Sequence, residues 1–423
     1  MRTLGYHKVS AVFKTAALSH SAKPPLLGFL QALSNFLDSK TKNHLYMPAE
    51  LENFFTDLRE REVIADAANL KNNFYQLKSS EKVIYWGVDC TNDSLHIGHL
   101  FTILQIIRFA QQDFRIILLL GGATSKIGDP SDKAKERPQL AENELQNYYQ
   151  QIEEQITNLL LKEKTIGKLD FQPLELFYHD NPSLLKNIYQ ALELDKGEPW
   201  KKYFQYIWPL EKNSHFQILN NAEWLSKLSF VDFIDQVGRN ITINYLLAKE
   251  TIKQRVNSET GLSFLAFSYS LLQAYDFYHL YKKYGCHGQL GGSDQWGNLT
   301  TGLKLIRSIH PENKTFAFTF PLLTDKEGKK ISKSSTGKTI WLSPKKTSFS
   351  EFYDFLRNMP DEQALKLLYQ FTFLTKEQVE KIAQLNNPRK LRIPQRILVE
   401  LLFYLLYQEK GLTWLKGLNN KIS

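Results

Sequence analysis

Cysteine is scarce in this sequence: Cys90 and Cys286 are the only two among 423 residues, far apart and without ligand-like spacing. That speaks against a disulfide framework and a structural zinc, and it fits a reducing compartment. Long apolar runs are also missing. The best stretch, residues 397–407, is short and interrupted by Glu400, which suits a buried helix and not a membrane span. Residues 1–37 contain no acidic side chain, only Arg2, Lys8, Lys14 and Lys23, so four of the nine net positive charges sit in this leader and the body is mildly basic. Basic, acid-free as far as residue 37 and dotted with Ser, Thr and Ala, residues 1–45 have the composition of an organellar transit peptide and lack the continuous apolar core of a secretory signal. A merely disordered N-terminus is the plainer alternative. Internal repeats and low-complexity tracts are absent as well.

Enough apolar material is present for a sizeable core: 43% of the residues are hydrophobic, and the length favours two or three domains. Residues 83–89 and 114–122 read as buried strands, each ending in Asp or Gly, with a helical stretch from about Ile97 between them. Such a strand–helix–strand unit is half of a Rossmann-like nucleotide fold, an α/β architecture with a mostly parallel sheet and helices on its faces. Ligands of that fold bind beyond the carboxyl ends of the strands, so functional side chains are expected just after Asp89 and Gly122. Residues 158–215, with Pro173, Pro182, Pro199 and Pro209, read as an insertion lying on the sheet. From about Thr347 the pattern turns wholly helical, with apolar faces at 352–356, 365–373 and 397–407, which marks a separate all-helical module.

The segment 89–99 stands where the first strand hands over to a helix. Helix N-termini bind phosphate through free N–H groups and the helix dipole. His96 and His99 would add donors there, and Gly98 would let a flat adenine lie against the backbone. Alone, two histidines at that spacing equally suit a metal or no role at all. A second loop, 121–130, follows the next strand. Asp129 offers it a carboxylate for a cation such as an α-amine, with Lys133 and Arg137 just beyond, although such features are commonly a plain turn and solvated charge. Far downstream, Lys329-Lys330-Ile331-Ser332-Lys333-Ser334 suits the transient stabilisation of a triphosphate, with a solvated surface or an RNA contact as the default. A helix over 263–284 sets Tyr269, Gln273 and Asp276 on one face, at steps of four and three. A buried polar stripe needs partners, which are either one another or a ligand. Residues 289–298, from Gln289 through the paired Gly291 and Gly292 to Asn298, suit close contact with a ribose or an amino acid backbone.

Together, His96-Ile97-Gly98-His99 and Lys330-Ile331-Ser332-Lys333-Ser334 resemble the two signature motifs of class I aminoacyl-tRNA synthetases. Residues 85–89, 121–131, the set Tyr269, Gln273 and Asp276, and 291–298 further resemble the tyrosine-charging branch of bacterial and mitochondrial type, in its chain order. The likeness covers roughly residues 50–410 without the insertion. It implies a pocket in which Tyr85 and Asp276 hold a phenolic hydroxyl, Asp129, Tyr269 and Gln273 hold an α-amine, and Asn221 and Gln289 assist around the ring and carboxylate. Phenylalanine would leave Asp276 buried and unpaired, which suits its rejection. For ATP the resemblance implies Asp89, Thr91, Gly98, Gly291, Asp294, Gln295, Ser332 and Ser334 as binding positions. His96, His99, Lys133, Arg137, Lys330 and Lys333 become the catalytic, charge-stabilising set. No protein nucleophile or base is needed, because an ionised carboxylate attacks the α-phosphate. Magnesium is expected with ATP and zinc is not. Three positions depart from the family: Trp86 is bulkier than the usual neighbour of the ribose, Cys90 stands where proline is common, and Asp132 replaces a small residue beside Lys133.

The expected organisation is a leader over 1–45, a class I catalytic domain over 46–340 and a helical anticodon-binding domain over 341–423. In the last, Arg389, Lys390, Arg392 and Arg396 are set either to track tRNA phosphates or to form a solvated helix face. The small ribosomal-protein-like RNA-binding domain that often follows in relatives is not found before the sequence stops at Ser423. The expected function is tyrosine–tRNA ligase in the mitochondrial matrix, with tRNA, tyrosine and ATP as partners, a homodimer by resemblance, and no membrane. A tryptophan-charging enzyme is the nearest rival. Tyr85 and Asp276 speak against it, since an indole has no phenolic hydroxyl. A non-catalytic RNA-binding protein is the rival from another class.

Overall fold

The computed structural model describes residues 48–129, 140–161, 177–178, 180–193, 215–256, 262–324, 338–385 and 392–419. Two compact units are distinguished, residues 1–50 and 51–423. The expected leader lies outside the described residues, and the second unit carries the fold.

Short apolar segments alternating with helical ones build a six-stranded sheet in the order β1-β6-β5-β2-β3-β4. The strands are β1 (Asp66–Ala68), β2 (Val83–Val88), β3 (Arg115–Leu120), β4 (Phe216–Asn220), β5 (Gly288–Gly292) and β6 (Phe316–Phe320). β1 runs antiparallel to β6 and every other pairing is parallel, as the strand–helix–strand reading requires. β2 and β3 pair from Val83 opposite Arg115 to Val88 opposite Leu120. In β3 every residue after Arg115 is buried, the signature of a strand covered on both faces.

The two-residue pleat sorts these side chains into separate cores. Ile84, Trp86, Ile116, Leu118 and Leu120 join one; Val83, Tyr85, Ile117 and Leu119 join the other. The first core takes in α1 (Pro48–Glu60), α2 (Ile97–Ala110), α3 (Glu142–Ile156) and α4 (Pro182–Leu192). The second is closed by α5 (Ala222–Leu225), α6 (Phe264–Tyr284) and α7 (Trp296–Ile309). Neighbouring residues Tyr85 and Trp86 therefore leave the same strand toward opposite sets of helices.

The C-terminal helices α8 (Phe349–Arg357), α9 (Asp361–Phe371), α10 (Lys376–Leu385) and α11 (Ile393–Asn419, with a non-helical Gln408) continue the first core. Two buried arginines bind them to it. Arg61 donates to the carbonyls of Tyr369 and Leu374, each at 2.9 Å, and Arg108 of α2 donates to the carbonyl of Thr372. Both cations thus meet the carboxyl end of α9, where carbonyls lack helical partners and the dipole is negative.

The insertion's helix α4 shares the first core with one face of the sheet and also packs on α10, where Gln378 donates to the Leu192 carbonyl at 3.1 Å. Its apolar face of Ile188, Tyr189, Ala191 and Leu192 suits a helical partner. One expectation is corrected here: Arg392 and Arg396 are not a free basic face. Arg392 donates to the Met359 carbonyl at 3.0 Å, and Arg396 donates to the Phe177 carbonyl at 3.0 Å while standing 4.8 Å over the Tyr178 ring. Arg389 and Lys390 lie outside the described residues. No helix among the described residues is long and apolar enough to cross a membrane.

Candidate active site

A cavity of about 820 Å³ opens at the carboxyl ends of the parallel strands, where a doubly wound sheet holds its ligands. One wall is the start of α2. His96 is its N-cap, and its Nδ1 accepts from the N–H groups of Gly98 at 3.1 Å and His99 at 3.3 Å. His99 Nδ1 in turn accepts from the His96 N–H at 3.1 Å. Burial, and then the neighbouring His96, hold the His99 pKa well below its ordinary value. A Cβ on Gly98 would meet only the His96 ring within 4 Å, at 2.9 Å, so the backbone there is bare on the cavity side.

The segment just after the third motif is stitched to this wall. Ile97 N–H donates to the Ile340 carbonyl at 3.0 Å, Leu342 N–H donates to the Leu95 carbonyl at 2.8 Å, and His96 bridges Trp341. Lys330, Ser332, Lys333 and Ser334 lie outside the described residues, but Leu322 and Leu323 before them and Thr339 and Trp341 after them line the cavity. Lys133 and Arg137 also lie outside the described residues.

Opposite stands the polar stripe of α6. Tyr269, Gln273 and Asp276 all face the cavity, with Tyr85, Asp89, Asp129 and Asn221. Asp276 is fully buried. Its carboxylate accepts from Asn221 Nδ2 at 3.0 Å and from Trp224 Nε1 at 2.7 Å. Burial still raises its pKa from an ordinary 3.8 to about 7, against those two bonds. The Tyr85 hydroxyl is buried with no hydrogen-bond partner, and burial followed by the Asp276 charge pushes its pKa well up.

Asp89 sits in this half of the cavity. It accepts from Thr124 Oγ1 at 2.7 Å and from the Tyr269 hydroxyl at 2.9 Å. A Cβ on Gly121 would fall 2.2 Å from Asp89 Oδ1, so only glycine leaves room for that contact. Asp129 accepts from Gln295 Nε2 at 2.5 Å, and Asn298 Nδ2 donates to Gln295 Oε1 at 3.0 Å. Thr91, Gly291 and Asp294 line the same cavity. Gln289 does not; it is buried beside Tyr85 in the paired strand, and neither its Nε2 nor its Oε1 has a partner.

Trp224 and Thr124 were not singled out from the sequence. The available signal was position: Trp224 stands three residues past Asn221, just beyond β4, and Thr124 stands just beyond β3. Cys90, in place of a common proline, has an N–H that donates to Ser125 Oγ at 2.7 Å.

The cavity thus joins a helix N-terminus with two stacked imidazoles to a deep, carboxylate-lined slot. Residues 78–406 match the family of class I tRNA synthetases (W and Y). The chain belongs to the class I tRNA synthetases. A tyrosine–tRNA ligase of Geobacillus stearothermophilus is 39% identical over 339 residues, 80% of this synthetase and 69% of the relative. One of Roseiflexus castenholzii is 37% identical over 323 residues, 76% of this chain and 65% of the other. Among solved structures, C-terminally truncated mitochondrial tyrosyl-tRNA synthetases of Aspergillus nidulans (TM-score 0.68, 24% identity, 91% of this chain and 100% of that one) and Coccidioides posadasii (0.65, 22%, 92% and 98%) share the fold.

Proposed function

We propose that this synthetase activates tyrosine with ATP and transfers it to the 3′-terminal ribose of a tyrosine-accepting tRNA, in mitochondria. The observation that carries the reading is the Tyr85 hydroxyl, buried without a partner in the slot that also holds Asp276. A buried hydroxyl left unmade is costly, and a ligand hydroxyl at the bottom of the slot would satisfy it. A phenol supplies that group. An indole ring has no hydroxyl and would leave it unmet, which favours tyrosine over tryptophan.

In this reading Asp129, Tyr269 and Gln273 face the α-amine, with Asn221 in the wall and Gln289 behind it, beside Tyr85. Asp89, Thr91, Gly98, Gly291, Asp294 and Gln295 border the nucleotide. His96 and His99, with Lys133, Arg137, Lys330 and Lys333 from segments outside the described residues, stabilise charge on the phosphates, and Ser332 and Ser334, also outside them, bind ATP. The tyrosine carboxylate attacks the α-phosphate, and catalysis is positioning plus charge stabilisation. Among the described residues no three His, Cys, Asp or Glu side chains are grouped to hold a metal ion. Magnesium accompanying ATP is held chiefly by the phosphates and water in this reading.

The domain plan follows: a targeting leader over 1–45, a catalytic domain over 46–340 and an anticodon-binding domain over 341–423. A homodimer is supported by four large apolar side chains left 65–75% exposed, Phe230, Val231, Ile243 and Phe264. Phe264→Asp with Phe230→Asp should give a monomer in sedimentation, and a persisting dimer would remove that surface from the interface. Amino-acid-dependent ATP–pyrophosphate exchange tests the central reading. Exchange with tyrosine and none with tryptophan is expected, and the opposite pattern would overturn it. A reporter fused to residues 1–47 should enter mitochondria; one that stays in the cytosol ends the targeting claim.

A further inference from the structure

We propose that His279 is a specificity-positioning residue: its imidazole face, stacked on Trp224, fixes the indole N–H that holds Asp276. The inference rests on Asp276 contacting the substrate hydroxyl.

The sequence spacing sets the arrangement up twice. Asn221 and Trp224 lie three residues apart at the start of α5 and both donate to Asp276. Asp276 and His279 lie three apart on α6, which puts them on one face, a turn from each other. The His279 ring then covers the indole: centroids are 4.4 Å apart and the planes 11° off parallel. Trp224 is buried in the second core, and a flat partner on the face of the indole further restricts its pivoting about the N–H bond to Asp276. His279 is itself packed by Tyr275 and Tyr284, with ring centroids at 6.4 Å and 6.5 Å.

The alternative use of a histidine is its hydrogen bonding, and at Nε2 that use is unfilled. Nε2 is fully buried with no partner. Burial first, then Lys283 and Lys282, lower its pKa, so the ring is neutral near pH 7. What remains is the face. His279 does not line the cavity, so it acts through Trp224 and touches no substrate.

The test compares kcat/KM for tyrosine and for phenylalanine in pyrophosphate exchange, using the full chain. His279→Ala and His279→Gln, which lack a flat ring, should lower the tyrosine preference by roughly fivefold to tenfold, chiefly through KM for tyrosine, while His279→Phe should keep it within about twofold. On a Trp224→Phe background, His279→Ala should add little, because the N–H it positions is already gone. Thermal melts confirm that each variant is folded at the assay temperature. Unchanged preference in His279→Gln, or equal loss in His279→Phe, would overturn the proposal. Asp276→Ala in the same assay separates the two readings. If it lowers the preference and the His279 variants do not, only the stack fails; if it has no effect, the Asp276 reading fails with it.

Discussion

The rings of His96 and His99 stack 3.8 Å apart at 13°, and the two side chains cap each other's backbone. Each Nδ1 accepts a backbone N–H, so each carries a lone pair there and the proton resides on Nε2. The pair is thus preset as neutral Nε2–H donors at the mouth of a helix dipole, which is what a developing phosphate charge requires.

That arrangement separates two roles of His96, capping and donating. In His96→Asn the amide oxygen can still cap α2, while the Nε2–H donor is lost. Tyrosine activation by pyrophosphate exchange should fall at least about tenfold, or about 1.4 kcal/mol, with the melting temperature within a few degrees. An unchanged rate would leave His96 as a cap alone.

Asp276 makes stability depend on pH in an uncommon direction. Its folded pKa of about 7 lies above the ordinary 3.8, so the native state keeps a proton that the unfolded chain has released. Unfolding free energy must therefore decline as pH rises from about 4 to about 7, by on the order of a few kcal/mol, and stay lowered above that. Asp276→Asn abolishes this term. Urea titrations from pH 5 to 8 should show the wild-type protein losing stability relative to the variant as pH rises; a constant difference would mean that the carboxyl is ionised throughout.

How much of this was legible in the sequence varies with the range of the interactions. β2, β3, α2 and α6 were readable because their apolar spacing is local, and the Tyr269, Gln273 and Asp276 stripe follows from helix geometry alone. The partners of that stripe were not. Trp224 reaches Asp276 across 52 residues and Thr124 holds Asn221, the other donor to Asp276, across 97, through the sheet order, which no local period encodes. Arg396 misled for the same reason: its charge suggests solvent or phosphate, but the carbonyl of Phe177 that it binds lies 219 residues away.

Tyr85 yields opposite signs for two measurements. In the free protein its hydroxyl is buried and unpaired, so Tyr85→Phe should be neutral or stabilising, by up to about 1 kcal/mol in urea unfolding. For tyrosine activation the same change should lower kcat/KM roughly threefold to tenfold, the worth of one neutral hydrogen bond. Loss of stability together with unaltered kinetics would assign the hydroxyl to the fold and not to a ligand.

Arg108 should show the reverse pattern, stability without specificity. It is 4% exposed, donates through Nε to Gln105 Oε1 at 3.1 Å and also to the Thr372 carbonyl, and lies 4.4 Å from the Phe373 ring. Arg108→Ala removes the donor facing the carboxyl end of α9, leaves a void, and exposes the Thr372 carbonyl to an apolar surrounding. The expected cost is about 2–4 kcal/mol in urea unfolding. Because these contacts join the far end of α2 to α9, and Arg108 does not line the cavity, KM for tyrosine should remain within about twofold wherever the variant is folded. A loss below about 0.5 kcal/mol would mean that the C-terminal helices are held by apolar packing alone, with the buried arginines contributing nothing to the join.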